Sequence, residues 1–297
     1  MKKNRVSVLY RAGWYTLGLL LFFTPFAYYQ KVLLWLLNSP SMGNIHALCF
    51  RMTIQNMLTG KNVHIFTVAT ISTLLLFLAA FLAGPFFCGR LCAAGALPEY
   101  LGRLLPDKWK IDWHRGVNPV PIRYGFLAGY LLSPFLTGSI ACAFCNFSFL
   151  ERLINGGLWG DFGVLGSTTI LTALLWLIIF GVMTKGGRGY CSFLCPVGAV
   201  QSLIHSIGAR FDFTYKLRYA KDKCVDCSVC IKNCPMGALQ KEMETERIDY
   251  QIHNCITCRQ CEAVCPVGAL SYGRGKNGWS SNPLPESIPV LTEEGIQ

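Results

Sequence analysis

Charge is scarce in this chain. Only 14% of its 297 residues are Asp, Glu, Lys or Arg, against about 25% in ordinary soluble domains. Acids are the scarcer half, 16 against 27 bases. With 52% hydrophobic residues, so little charge argues against a freely solvated globule. The net charge of +11 does not indicate nucleic acid as a partner, because the bases flank apolar runs. The cysteine-rich C-terminal part is mildly acidic, with Asp226, Glu242, Glu244, Glu246, Asp249 and Glu262 set against Lys232, Lys241, Arg247 and Arg259. No strand–turn–helix context surrounds Gly186-Gly187-Arg188-Gly189, so that run is not a nucleotide fingerprint. No nucleophile triad is found.

Cysteine, by contrast, is plentiful, and much of it is ordered into two copies of one phrase. These are Cys224-x2-Cys227-x2-Cys230-x3-Cys234-Pro235 and Cys255-x2-Cys258-x2-Cys261-x3-Cys265-Pro266, the spacing that holds two [4Fe–4S] clusters. Three thiolates on a tight loop can wrap one cluster while the fourth reaches the other. That assigns Cys224, Cys227, Cys230 and Cys265 to one cluster and Cys255, Cys258, Cys261 and Cys234 to the second. Zinc is the competing reading of CxxC pairs, but a closed tetrahedral site leaves the third and fourth cysteine of each phrase without a role. Reducing conditions suit this chemistry, since they keep thiols free for iron.

Four long uncharged stretches carry the hydrophobic excess, at about 12–30, 65–87, 124–150 and 162–184. Each reaches the roughly 20 residues needed to cross a bilayer. The expected architecture is therefore a membrane protein. A four-helix all-α transmembrane domain with an internal repeat occupies 1–215. A bacterial-type 2[4Fe–4S] ferredoxin-like α+β domain follows over 216–275, and then a polar tail over 276–297. Lys2, Lys3, Arg5 and Arg11 precede the first stretch without a cleavage site after it, so it reads as an anchor rather than a signal peptide. The distribution of Lys and Arg places both termini, and the ferredoxin-like domain, on the cytoplasmic side of a bacterial or archaeal inner membrane. Anionic membrane lipids are the partners expected for the basic flanks.

A second set of cysteines closes the second and fourth stretches: Cys88-x3-Cys92 and Cys191-x3-Cys195-Pro196. Aligned on these cysteines, Leu91 matches Leu194, Gly95 matches Gly198 and Ala96 matches Ala199, an internal repeat. An i, i+4 spacing puts two thiols on one helical face, and two such faces offer four sulfurs around one point. A further iron–sulfur cluster or metal site is one reading. Tight packing of small apolar side chains is the other. Cys142, Cys145 and Cys49 are open among an outer-face centre, packing and a disulfide. His46 and His64 are candidates for a quinone or haem, or simple polar anchors.

With four apolar stretches, two Cys-x3-Cys pairs and the duplicated phrase, the chain resembles the NapH-type membrane ferredoxins associated with periplasmic nitrate reductase and the membrane part of NosR-type proteins. The resemblance runs from Arg11 to Tyr272. It implies an electron-transfer subunit of a respiratory or other redox complex, exchanging electrons with the quinone pool or a membrane redox partner. The first pair departs from the family's pattern, reading Cys92-Ala93 where proline is usual. A second hypothesis is a reductase that assists metal-cofactor assembly, since the CcoG-type assembly proteins share this layout. A third, a redox sensor, has no signalling domain to support it.

Overall fold

The computed structural model describes residues 2–23, 26–38, 53–54, 67–136, 145–159, 167–241, 248–276 and 278–279. Helix α1 (Lys2–Phe22) is followed by α2 (Tyr28–Leu36). Helix α3 (Val68–Ala83) starts at the cap Thr67, whose side chain accepts from the Thr70 amide at 3.3 Å. It ends at Gly84, where φ is +69°, and Pro85 follows, so the chain cannot continue as helix. A π-helical turn (Phe87–Leu91) then leads into α4 (Ala93–Gly102), α5 (Trp113–Gly116), α6 (Pro119–Leu136) and α7 (Asn146–Trp159). Helix α8 (Ser167–Thr172) runs on as a π-helical segment, Ala173–Val182, before α9 (Gly189–Phe193) and α10 (Pro196–Gly208).

These helices overturn the expected four-helix transmembrane domain. Among the described residues, no helix is long and apolar enough to cross a membrane. Helix α3 has 16 residues, about 24 Å at 1.5 Å per residue, against a hydrocarbon core of about 30 Å. Helix α6 has 18 residues but carries Arg123 in its body, and α1 carries Arg11 in its middle. The expected multi-pass placement in an inner membrane, with termini on the cytoplasmic side, rested on those spans and is corrected with them. The lipid contacts lose the same basis. Residues 24–25, 65–66, 137–144 and 162–166 of the expected stretches lie outside the described residues.

Part of the apolar sequence packs helix on helix, while Leu74, Leu75 and Leu78 of α3 stay exposed. Phe23, Ala94, Phe149, Leu150, Trp176 and Tyr190 form a buried core together with Cys92 and Cys195. Trp176 is fully buried and donates its indole N–H to the Ala94 carbonyl at 3.1 Å, which satisfies its one polar atom.

The C-terminal part has two small antiparallel sheets. Strand β1 (Lys216–Tyr219) pairs with β4 (Leu270–Gly273), with Tyr219 opposite Leu270. Strand β2 (Leu239–Lys241) pairs with β3 (Ile248–Tyr250), with Leu239 opposite Tyr250. Between them lie the short helices α11 (Val229–Lys232) and α12 (Gln260–Val264). Leu217, Tyr219, Leu239, Tyr250 and Leu270 form the core, and several cysteines pack against it. Trp279 covers this core, stacking on Tyr219 and Tyr250 at 4.6 and 4.7 Å between ring centroids. This part sits directly on the helices. Gly89 lies against the Ile256 carbonyl, and any side chain there would push the two surfaces apart.

Candidate redox centres

The two cysteine loops share one backbone device. Asp226 and Ser228 flank Cys227 with φ of 45° and 55°, and Thr257 and Arg259 flank Cys258 with φ of 48° and 61°. Left-handed residues on both sides of the middle cysteine fold each loop into a cup, a conformation non-glycine residues adopt at a cost of about 1–2 kcal/mol. After each proline comes a glycine with positive φ, Gly237 at 60° and Gly268 at 64°. The next amides then point back at sulfur: Ala238 N–H donates to Cys234 Sγ at 3.3 Å and Ala269 N–H to Cys265 Sγ at 3.2 Å. Repeated strain of this kind marks a loop built for a ligand.

The cysteines gather crosswise. One small cavity is lined by Cys224, Cys227, Cys230 and Cys265 with Val225 and Val267, and another by Cys255, Cys258, Cys261 and Cys234 with Met236 and Ile256. The first lies at the surface, with Cys227 exposed and Val225 60% exposed beside it. The second is covered by the helices. Burial pushes the Cys230 thiol up to about 11 and the Cys255 thiol up to about 12. Such thiols stay neutral unless a metal centre displaces the proton.

Cys88, Cys92, Cys191 and Cys195 also converge, from the π-helical turn, the cap of α4, the body of α9 and the cap of α10. All four are buried. Cys88 feels the charges of Cys92, Cys195 and Cys191. Burial pushes Cys92 up to about 12 and raises the other three as well. Two of the sulfurs sit where helices begin, Cys92 at the cap of α4 and Cys195 at the cap of α10, and the Gly95 amide donates to Cys92 Sγ at 3.3 Å. Helix N-termini favour negative charge, so both positions support a thiolate ligand. Gln201 adds a side-chain donor to Cys88 Sγ at 3.2 Å.

This site adjoins the covered ferredoxin-type cavity. Cys88 and Cys191 pack in one buried cluster with Met236 and Ile256, against which Cys234 and Cys258 also pack. Among the described residues, no three His, Cys, Asp or Glu side chains converge tightly enough to hold a single metal ion.

A buried ion network holds these parts together. Glu99, 2% exposed, accepts from Arg11 Nη1 and Nη2 at 2.9 and 3.0 Å, from Arg188 Nε at 2.6 Å and from Arg103 Nη2 at 2.9 Å. Arg188 also donates to the Cys88 carbonyl at 2.9 Å and to Tyr15 Oη at 2.6 Å. Arg11 reaches Gln260 Oε1 of α12 at 2.9 Å. Burial alone would raise the Glu99 carboxyl, but Arg11 and Arg188 outweigh it and hold it at about 2. Sequence reasoning missed this network because it read Arg11 as a helix-flanking charge. Its partners stand 88 and 249 positions away, and no local pattern signals such a contact.

Of the remaining candidates, Cys145 lies in the wall of an apolar cavity of about 630 Å³. Cys49, Cys142, His46 and His64 lie outside the described residues.

Comparison with known proteins agrees with this chemistry. Residues 216–266 match the family described as a 4Fe-4S dicluster domain. Residues 65–112 and 168–213, which hold the two Cys-x3-Cys pairs, match the 4Fe-4S binding domain family. The putative electron transport protein YccM of Escherichia coli is 24% identical over 61% of this chain and 49% of its own length. The methylamine utilization ferredoxin-type protein MauN of Paracoccus denitrificans is 34% identical over 38% of this chain and 35% of its own. MauN of Methylorubrum extorquens is 30% identical over 51% and 47%. The chain thus spans half or less of these relatives. No solved structure matches it. The cofactors are [4Fe–4S] clusters, and these likenesses support iron–sulfur electron transfer.

Proposed function

We propose that this chain is a relay of three iron–sulfur centres. Cys224, Cys227, Cys230 and Cys265 hold a surface [4Fe–4S] cluster, Cys255, Cys258, Cys261 and Cys234 hold a covered one, and Cys88, Cys92, Cys191 and Cys195 hold a third in the helices. When bound, such clusters pass single electrons without moving atoms. The observation that carries the reading is the shared packing of Cys88 and Cys191 with Cys234 and Cys258 around Met236 and Ile256. That packing supports a third centre beside a ferredoxin-type site, through Cys88 and Cys191. The exposed Cys227 and Val225 form the face that a soluble redox partner would meet.

Within this reading the NapH- or NosR-type arrangement is the finer assignment, on Cys191-x3-Cys195-Pro196 and the two phrases, with a respiratory oxidoreductase complex as the partner class. Anaerobically purified protein is expected to hold about twelve irons and twelve acid-labile sulfides. The double change Cys191→Ser and Cys195→Ser should bring both to about eight. Eight in the unaltered protein would leave the third centre without support.

A second reading concerns the apolar cavity of about 630 Å³. Leu194 and Pro196, on either side of Cys195, line it together with Phe126, Tyr130 and Asn146. Asn146 is 3% exposed and its Nδ2 has no hydrogen-bond partner among the described residues, a donor suited to a carbonyl oxygen. We take a quinone as the small apolar carrier that exchanges electrons there. Dithionite-reduced protein should be reoxidised by a soluble quinone analogue in the unaltered chain, and at least tenfold more slowly after Asn146→Leu. Equal rates would remove the cavity from the relay.

A further inference from the structure

Gly95 and Gly198 occupy equivalent positions, three residues after Cys92 and after Cys195. A side chain at either would collide with an arginine: with Arg188 Nη1, at 2.6 Å, for Gly95 and with Arg123 Nη2 for Gly198. Each half of the repeat therefore admits one guanidinium to the four-cysteine site. The two arginines differ in what answers their charge. Arg188 is paired with Glu99 and hydrogen-bonded to Tyr15 and to the Cys88 carbonyl. Arg123 is 1% exposed and, among the described residues, donates only through Nη1, to the His253 carbonyl at 2.5 Å. Its Nε and Nη2 are buried without a hydrogen-bond partner, and its charge bears on Cys88, Cys191 and Cys195.

Burying a guanidinium in this way is unfavourable unless an anion meets it. Four thiolates around a [4Fe–4S] core make a net dianion when oxidised and a trianion when reduced, which is the anion this position lacks. Resting on the reading of these four cysteines given above, we propose that Arg123 is the counter-charge of the third centre. Its Nε and Nη2 donate to sulfur there, and its charge raises the centre's reduction potential. The step involved is transfer of one electron from the covered ferredoxin-type cluster, with no proton and no bond change. Arg123 favours it because fixed positive charge stabilises the trianion more than the dianion. Its hold on the His253 carbonyl, two residues before Cys255, fixes it between the two centres. Arg123 acts through the centre's sulfurs, so it is a positioning residue rather than a catalytic one.

The test is a potentiometric titration of the full chain, read by electron paramagnetic resonance, with iron content measured in parallel. Arg123→Gln is expected to shift the reduction equilibrium of the third centre at least tenfold toward the oxidised form. That is about 59 mV for one electron. Arg123→Lys, which keeps the charge but not the fork, should recover part of the shift, and the surface cluster should not move. If Arg123→Gln sheds about four irons while Arg123→Lys keeps them, the counter-charge role is likewise supported. An unmoved potential with full iron in Arg123→Gln overturns the proposal, as it would if buried water satisfied the guanidinium. Equal shifts in the Lys and Gln variants overturn it too. About eight irons in the unaltered protein would instead sink the reading of the four cysteines.

Discussion

Glu99→Gln is expected to be among the most damaging single substitutions in this chain, destabilising it by about 3–5 kcal/mol. The amide keeps the shape but removes the charge that answers two fully buried guanidinium groups, Arg11 and Arg188. Loss would reach beyond the helices, because Arg11 also ties Gln260 of the ferredoxin-type part and Arg188 ties the Cys88 carbonyl. Chemical denaturation under anaerobic conditions checks the magnitude. Arg103→Gln is the comparison: it removes a third partner of the same carboxylate, but one 35% exposed, so about 0–1 kcal/mol is expected. The pH dependence has a definite sign. The Glu99 carboxyl lies at about 2 in the fold, below its ordinary 4.5. Its stabilisation is therefore complete above about pH 4.5 and is lost as pH falls toward 2. The gap between the unaltered chain and Glu99→Gln should be constant above pH 4.5 and close below it. A gap that persists at pH 2, or none at neutral pH, would contradict the assignment.

The second large effect separates crosswise from sequential ligation. Cys265→Ser is expected to remove the surface cluster, whose other ligands are Cys224, Cys227 and Cys230, although Cys265 belongs to the second phrase. Cys234→Ser should remove the covered cluster. Each variant should lose about four irons. The remaining signal identifies which cluster went, since the surface cluster is the one accessible to a soluble paramagnetic relaxation agent. Loss of the covered signal in Cys265→Ser would mean that each phrase holds its own cluster.

The phrases were legible because a cluster's size sets the spacing of its ligands, and spacing is a sequence property. The left-handed residues beside Cys227 and Cys258 were not legible. Asp226, Ser228, Thr257 and Arg259 are ordinary residues forced into that region by the loop. The long apolar runs misled because the length of an apolar run does not fix the length of the helix it forms. Gly84 and Pro85 interrupt one run after 16 residues of helix. The arginines misled as well. Arg11 and Arg123 read as charges flanking apolar stretches, yet both are 1% exposed.

From its sequence alone, this chain determined its cofactor class and the cysteines that form its two loops, because ligand spacing and a duplicated Cys-Pro ending are local and repeat along the chain. Only the tertiary structure decided that Cys88, Cys92, Cys191 and Cys195 converge, with Cys88 and Cys191 packed beside the covered loop. It also decided that one buried arginine near them is answered by Glu99 while the other has free donors. Burial and charge pairing depend on which surfaces pack together, and contacts across scores of residues leave no mark in the order of the amino acids.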